Sequence, residues 1–360
     1  MEQIIDLSIG SVAIEPSENM RKYSAAVCLE KWGGYTSPFG LTQLRKDILT
    51  NFSHNFSSIE LDNVLITQGA TMGLNLIYQM FKGESILIPD PGFPLYSESA
   101  ELYDMNVYRY RLGWGSDWEQ TISDIKVGLE QGVKLVIVNN PNNPNGFLFN
   151  REQIEIIANL CSEYNVHCIS DEVYRDFSFK DDPVPSLVDY IPERTFLLYS
   201  FSKSYAMAGF RVGFLIHMNK AYIKTLSLYH WRTMMSVSWQ GQKIASYVLK
   251  HEQDFPNHVK EQIKDNITYI VDRLHEHDIS FFVPEGGIFL CLDISKLHMN
   301  SIEFEQKIFK EKRVLISPCA PFGTTGEQVI RINVALEHEK FQYAIEEVID
   351  FIQSERVVAK

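Results

Sequence analysis

At 360 residues the chain is too long for one compact core, and a make-up of 45% hydrophobic and 22% charged residues is that of a globular protein, so two domains of unequal size are expected. A formal net charge of −13 repels phosphate backbones and anionic membranes, which disfavours nucleic-acid and membrane partners. No apolar run nears the roughly 20 residues that span a bilayer, and the start Met-Glu-Gln-Ile-Ile-Asp lacks the basic region of a secretory leader, so a cytoplasmic location is expected.

In chain order, Leu7-Ser8-Ile9-Gly10 and Tyr35-Thr36-Ser37-Pro38-Phe39-Gly40 come before the first buried strand. From about residue 60 to 220, short apolar runs alternate with helical patterns. Val64 to Thr67, Ser85 to Ile88, Leu135 to Val138, His167 to Ser170, Phe196 to Tyr199 and Val212 to Ile216 read as buried strands. Between two of them, Ile154, Ile157, Ala158 and Cys161 recur at i, i+3, i+4 and i+7, one face of an amphipathic helix. Such alternation predicts an α/β fold, a mainly parallel sheet covered by helices. Beyond about residue 240, a polar helical stretch through His258 to His277 leads to further strands at Gly286 to Leu292, Val314 to Ile316 and Val329 to Asn333. These predict a large α/β domain over residues 40–245 and a smaller α+β domain over 1–39 and 246–360.

The five cysteines, Cys28, Cys161, Cys168, Cys291 and Cys319, are odd in number and form no CxxC, so free thiols are expected. The ten histidines show no ligand spacing, and no metal is expected.

The unusual residues fall directly after the strands. Gln68-Gly69-Ala70-Thr71 follows the first, Pro91-Gly92-Phe93-Pro94 the second, and Asn139-Asn140-Pro141-Asn142-Asn143-Pro144-Asn145-Gly146 the third. Asp171-Glu172-Val173-Tyr174 and Ser200-Phe201-Ser202-Lys203 come next, with Arg211 beyond. Carboxyl ends of parallel strands share one edge of a sheet, so these segments can converge on one ligand. Gly69-Ala70-Thr71 opens a helix whose free N–H groups suit a phosphate, to which Ser200 and Arg211 can add donors. Phe93 can lie against a flat ring, and Asp171 can hold a ring nitrogen protonated with Tyr174 nearby. A shielded Lys203 loses its charge readily and can form a Schiff base with an aldehyde. Each also has a plain structural alternative: a strand-to-helix turn, a core phenylalanine, an N-capping aspartate, a solvated lysine.

Together these segments resemble the fold-type I pyridoxal phosphate enzymes, specifically the class I/II aminotransferase family, from Leu7 to Arg331. The resemblance implies a seven-stranded, mainly parallel sheet in the large domain and pyridoxal 5'-phosphate as cofactor. It implies that Lys203 forms the Schiff base, that Asp171 pairs with the ring nitrogen, and that Asn143 and Tyr174 contact the phenolic oxygen. Phe93 would stack on the ring, while Ala70, Thr71, Ser200 and Arg211 would cup the phosphate, with Gly69 and Ser202 beside them. Arg331 looks like the arginine that holds the substrate α-carboxylate, with Gly10 and Asn143 near it. Tyr35 looks like the tyrosine that reaches a partner subunit's phosphate, which implies a homodimer with shared sites. The chain departs from the family pattern at Asn145, where threonine or serine is usual, and in Pro318-Cys319-Ala320-Pro321-Phe322-Gly323, which lacks a customary glycine.

The expected reaction moves an amino group between an amino acid and a 2-oxo acid by a ping-pong route, with Lys203 as general base. A lyase, a decarboxylase or a cyclising enzyme of amino-acid metabolism would use the same cofactor-binding residues, because these bind the cofactor and do not choose the bond broken. A non-catalytic sensor would be expected to carry a basic helix-turn-helix segment, and none is expected here, given a fold that begins at the first residues and a net charge of −13. A nucleotide-binding dehydrogenase lacks support, since Gly113-Trp114-Gly115 is isolated and no GxGxxG joins a strand to a helix. Val12 to Ile14, and Trp32 beside Gly33-Gly34, are expected at the pocket's border. No second arginine can be assigned to a dicarboxylate substrate.

Overall fold

Ile86, Leu87 and Ile88 are consecutive and buried, yet they belong to different cores. Ile86 and Ile88 pack with Leu74, Ile77 and Phe196, whereas Leu87 packs with Ile125, Ile154 and Ile157. A strand turns successive side chains to opposite faces, so a sheet covered on both sides needs apolar residues at every position. Leu135 and Ile137 divide from Val136 and Val138 in the same way.

The computed structural model describes residues 4–30, 34–52 and 59–358. Trp32 and Gly33, expected at the pocket's border, lie outside them. The first strands are β1 (Ile5–Asp6), β2 (Val64–Thr67), β3 (Ser85–Asp90), β4 (Asn106–Arg111), β5 (Leu135–Asn139) and β6 (His167–Asp171). There follow β7 (Thr195–Ser200), β8 (Gly213–Ile216), β9 (Phe281–Phe282), β10 (Phe289–Asp293), β11 (Val314–Leu315), β12 (Ser317–Pro318) and β13 (Val329–Asn333). The helices begin with α1 (Glu18–Leu29), α2 (Thr42–Phe52), α3 (Gly69–Met80), α4 (Leu95–Glu101), α5 (Trp118–Glu130) and α6 (Arg151–Glu163). The rest are α7 (Phe201–Ser204), α8 (Lys220–Met234), α9 (Trp239–His251), α10 (Phe255–Glu276), α11 (Ser301–Lys312) and α12 (His338–Val358).

The large sheet has seven strands in the order β2-β8-β7-β6-β5-β3-β4. β8 runs antiparallel to both its neighbours, and the other pairings are parallel. The apolar stripe Ile154, Ile157, Ala158 and Cys161 is buried on α6. That helix starts where the Asn150 side chain accepts from Gln153 N and the Gln153 side chain accepts from Asn150 N, a reciprocal cap.

β12, β13, β10 and β9 form a small antiparallel sheet. The N-terminal segment lies with these later residues: Ile5 pairs with Val314 in parallel, and Ala13 bridges to Leu336. Val12 and Ile14 are core residues, a correction to their expected place at the pocket's border. Tyr23 of α1 stacks on Tyr247 of α9, ring centroids 4.1 Å apart, which ties this segment to the helices beside the large sheet.

Candidate active site

β5, β6 and β7 end side by side at Asn139, Asp171 and Ser200, with Asn139 in register with Asp171. Their carboxyl ends open on a cavity of about 480 Å³. Its lining includes Ala70, Thr71, Ser200, Ser202 and Arg211, together with Phe93, Asp171 and Tyr174, and Lys203, Asn143, Gly10 and Arg331. Gly69 stands just behind, at the start of α3 with φ +75°, where a Cβ would sit 2.7 Å from Arg211 Nη2. The arginine therefore depends on glycine there. Tyr35 is not at this cavity: it is 72% exposed, edge-on to Trp231 at 6.5 Å.

A hydrogen-bond chain links the polar members. Asn139 Nδ2 donates to the Asp171 carbonyl at 2.9 Å, and Asn139 Oδ1 accepts from Asn143 N at 2.8 Å. Asn143 Oδ1 accepts from Arg331 Nη1 at 2.9 Å, which turns the Asn143 amide nitrogen away from the arginine. Arg331 Nη2 donates to the Ser8 carbonyl at 2.7 Å, while its buried Nε has no partner. The guanidinium lies between the rings of Phe289, 3.9 Å from its carbon, and Phe322, 4.8 Å away. Such a desolvated fork, with a donor left over, suits a carboxylate.

Lys203 Nζ donates to the Gly10 carbonyl. Burial, then the positive charges of Arg331 and Arg211, lower its pKa to about 8. Burial raises Asp171 to about 6, against a hydrogen bond from Tyr96 Oη to its Oδ2 at 2.6 Å. Burial also pushes the Tyr174 hydroxyl up. Ser200 Oγ accepts from Ser202 N at 3.2 Å and so shapes the turn that presents Lys203. Among the described residues no cluster of side chains suited to a metal is present.

Sequence reasoning passed over Tyr96, Asn139 and the two rings around Arg331. Tyr96 lies one helical turn past Phe93 in the same proline-rich segment. Asn139 is the last residue of an apolar run. Those were the available signals. Phe289 reads as part of a strand, and Phe322 as part of the segment that departs from the family pattern, with neither placed against Arg331.

The donor set fits pyridoxal phosphate. A helix start with two serines and an arginine can take a phosphate, a phenylalanine face a ring, a buried carboxylate a ring nitrogen, and an amine of lowered pKa an aldehyde. An α/β sheet with this lysine at its carboxyl edge defines the class of fold-type I pyridoxal phosphate enzymes. The chain belongs to the aminotransferase class I and II family, whose model matches residues 2–348, and it is a pyridoxal phosphate-dependent aminotransferase. It is 27% identical to an aspartate aminotransferase of Pyrococcus horikoshii, over 99% of this chain and 92% of the relative. It is 25% identical to aromatic-amino-acid aminotransferase 2 of Thermococcus litoralis, over 99% of this chain and 94% of that one. In structure it resembles an aromatic aminotransferase from Pyrococcus horikoshii with a TM-score of 0.91 at 23% identity, covering 99% of this chain and 98% of the other. No described helix is long and apolar enough to cross a membrane.

Proposed function

We propose that the cavity transfers amino groups from amino acids with apolar or aromatic side chains to a 2-oxo acid. The observation that carries this reading is the meeting of Lys203 and Arg331 in one cavity whose wall includes Phe93, Pro94, Pro318, Pro321 and Phe322. Of the described cations at the cavity, Arg211 belongs with the phosphate, Arg331 with a carboxylate and Lys203 with the aldehyde, which leaves none of the described cations there for an acidic side chain. Glu98, at the same cavity, repels one. A relative named for aromatic amino acids supports the choice.

Bound pyridoxal phosphate supplies a carbonyl that takes the amino group and a ring that accepts electrons. In this reading Ala70, Thr71, Ser200, Ser202 and Arg211, backed by Gly69, fix the phosphate. Phe93 faces the ring, and Asp171 keeps the ring nitrogen protonated. The amide of Asn143 and the hydroxyl of Tyr174 hold the phenolic oxygen. Arg331 orients the substrate carboxylate, and Lys203 Nζ takes the proton from the α-carbon. Gly10 places its carbonyl against that amine.

The same reading makes the active form a homodimer, with Tyr35 reaching the partner's phosphate, divides the chain into domains at 40–245 and 1–39 with 246–360, and places it in the cytoplasm. Tyr35 away from its own cavity, the pairing of Ile5 with Val314, and five free cysteines are the respective supports. Replacing Lys203 by alanine is expected to abolish turnover while circular dichroism stays unchanged. Phenylalanine and leucine are expected to exceed aspartate in kcat/KM. Undiminished turnover without Lys203 would sink the assignment, and a preference for aspartate would overturn the substrate class.

A further inference from the structure

Residues 317–324 form a strap from the small sheet to the rim of the cavity, and Ser317, Pro318, Pro321 and Phe322 make up part of its wall. On its own side the strap is tied by Cys319 N, which donates to the Val329 carbonyl at 2.9 Å. On the other side it is tied to the large sheet. The carboxylate of Asp90, the last residue of β3, is buried and accepts from Thr324: the backbone N–H lies 3.0 and 3.2 Å from its two oxygens, and the hydroxyl 2.7 Å from Oδ2. Gly92 N donates to the Phe322 carbonyl at 2.8 Å. The approach is so close that a Cβ on Gly323 would stand 2.0 Å from Asp90 Oδ1 and 3.3 Å from Pro91 Cα. A buried carboxylate needs donors, and among the described residues Thr324 supplies the side-chain and backbone donors to this one.

We propose that Asp90 is a positioning residue for substrate selection. Through Thr324 it holds the strap against the large sheet, and so fixes Phe322 beside Arg331 and sets how closely the wall approaches the substrate's side chain. Asp90 itself touches no substrate. The proposal rests on the reading that the Arg331 side of the cavity receives the substrate. It also gives a physical role to the strap, the segment that departs from the family pattern: its selectivity is set by a strand end far away in sequence.

The test uses holoenzyme carrying T324V, T324S or D90N. It follows amide hydrogen exchange in residues 317–326, cofactor affinity, and kcat and KM for phenylalanine and alanine. A hydrogen bond to a charged group is strong enough that T324V and D90N are each expected to speed exchange of the strap and to raise KM for phenylalanine by about tenfold. kcat is expected to stay within about twofold, the preference for phenylalanine over alanine to shrink, and cofactor affinity to hold. T324S, which keeps the hydroxyl, is expected to behave as the parent protein does. Unchanged exchange and KM in T324V and D90N overturn the proposal. So does T324S as impaired as T324V, or a fall in cofactor affinity that accompanies every loss. If D90N does not fold, T324V decides alone. If the parent turns over neither amino acid, the cavity reading fails, and exchange in T324V and D90N still decides whether Asp90 holds the strap.

Discussion

Tyr96 sets the state of Asp171 more directly than any other side chain. Its hydroxyl is buried and donates to Asp171 Oδ2 at 2.6 Å, and its own placement in the first turn of α4 is fixed by Tyr78 Oη, which donates to the Tyr96 carbonyl at 2.9 Å. Without that donor a buried carboxylate oxygen loses a charge-assisted bond, a loss of about 1–3 kcal/mol. The Y96F variant is therefore expected to lower kcat by about tenfold with a smaller change in KM, since ring protonation matters most as electrons move. The sign of the pH effect follows from the same bond. In the roles proposed for them, Asp171, at about 6, must be ionised and Lys203, at about 8, neutral, so capture of pyridoxal phosphate by apoprotein should rise with pH through both values. In Y96F the first rise should move to higher pH, because the removed bond favours the carboxylate. Stopped-flow absorbance of cofactor capture between pH 5 and 9 checks this, and an unmoved profile in Y96F refutes the role.

At the scale of elements, the start of β6 and the end of β8 carry a second titratable group, at the sheet edge opposite the cavity. His217 Nδ1 accepts from Asn219 N at 2.9 Å, so its proton sits on Nε2, which is buried without a partner, as is His167 Nδ1. The rings pack against Phe196 and Tyr222. Burial, then the neighbouring His167, lowers His217 to about 3, and burial lowers His167. The unfolded chain takes up these protons below about pH 6.5, the folded one resists them, and stability falls at up to roughly 1.4 kcal/mol per pH unit and per histidine, for His217 down toward pH 3. The melting temperature is expected to drop more steeply from pH 7 to 5 than in H217L, and equal slopes would refute this. The same sheet shows what the sequence discloses. Strands buried on both faces stood out as apolar runs, and their ends marked the site. β4 was missed because it is an edge strand in which only Tyr110 is fully buried, so Asn106, Arg109 and Arg111 break any apolar pattern. β9 and β12 have two residues each, too few for a period to register. Asp90 and Thr324 are 234 residues apart, and no local pattern joins them.

At the scale of the whole molecule, exposed Tyr35, Trp231, Leu228 and Met234 gather apolar surface near one another in sequence and by ring contact, a face suited to a second copy of the chain. If each site takes Lys203 from one chain and Tyr35 from the other, the K203A and Y35A proteins, each impaired alone, should regain activity when unfolded and refolded together. One site in each hybrid then holds both native residues. Failure of the mixture to exceed the sum of its parts would show that the sites are not shared. One arrangement within a single chain has a bearing on biosynthesis. The Ser8, Ile9 and Ser11 carbonyls accept from Arg331 and Asn333, so these residues wait for partners made 322 to 324 residues later. The strands that bear the lysine and the phosphate cup, Val64 to Ile216, are all made before that late strand. A nascent chain can therefore gather the half proposed to face the cofactor before β13 is made, whereas the half proposed to bind the carboxylate is completed only once β13 joins it.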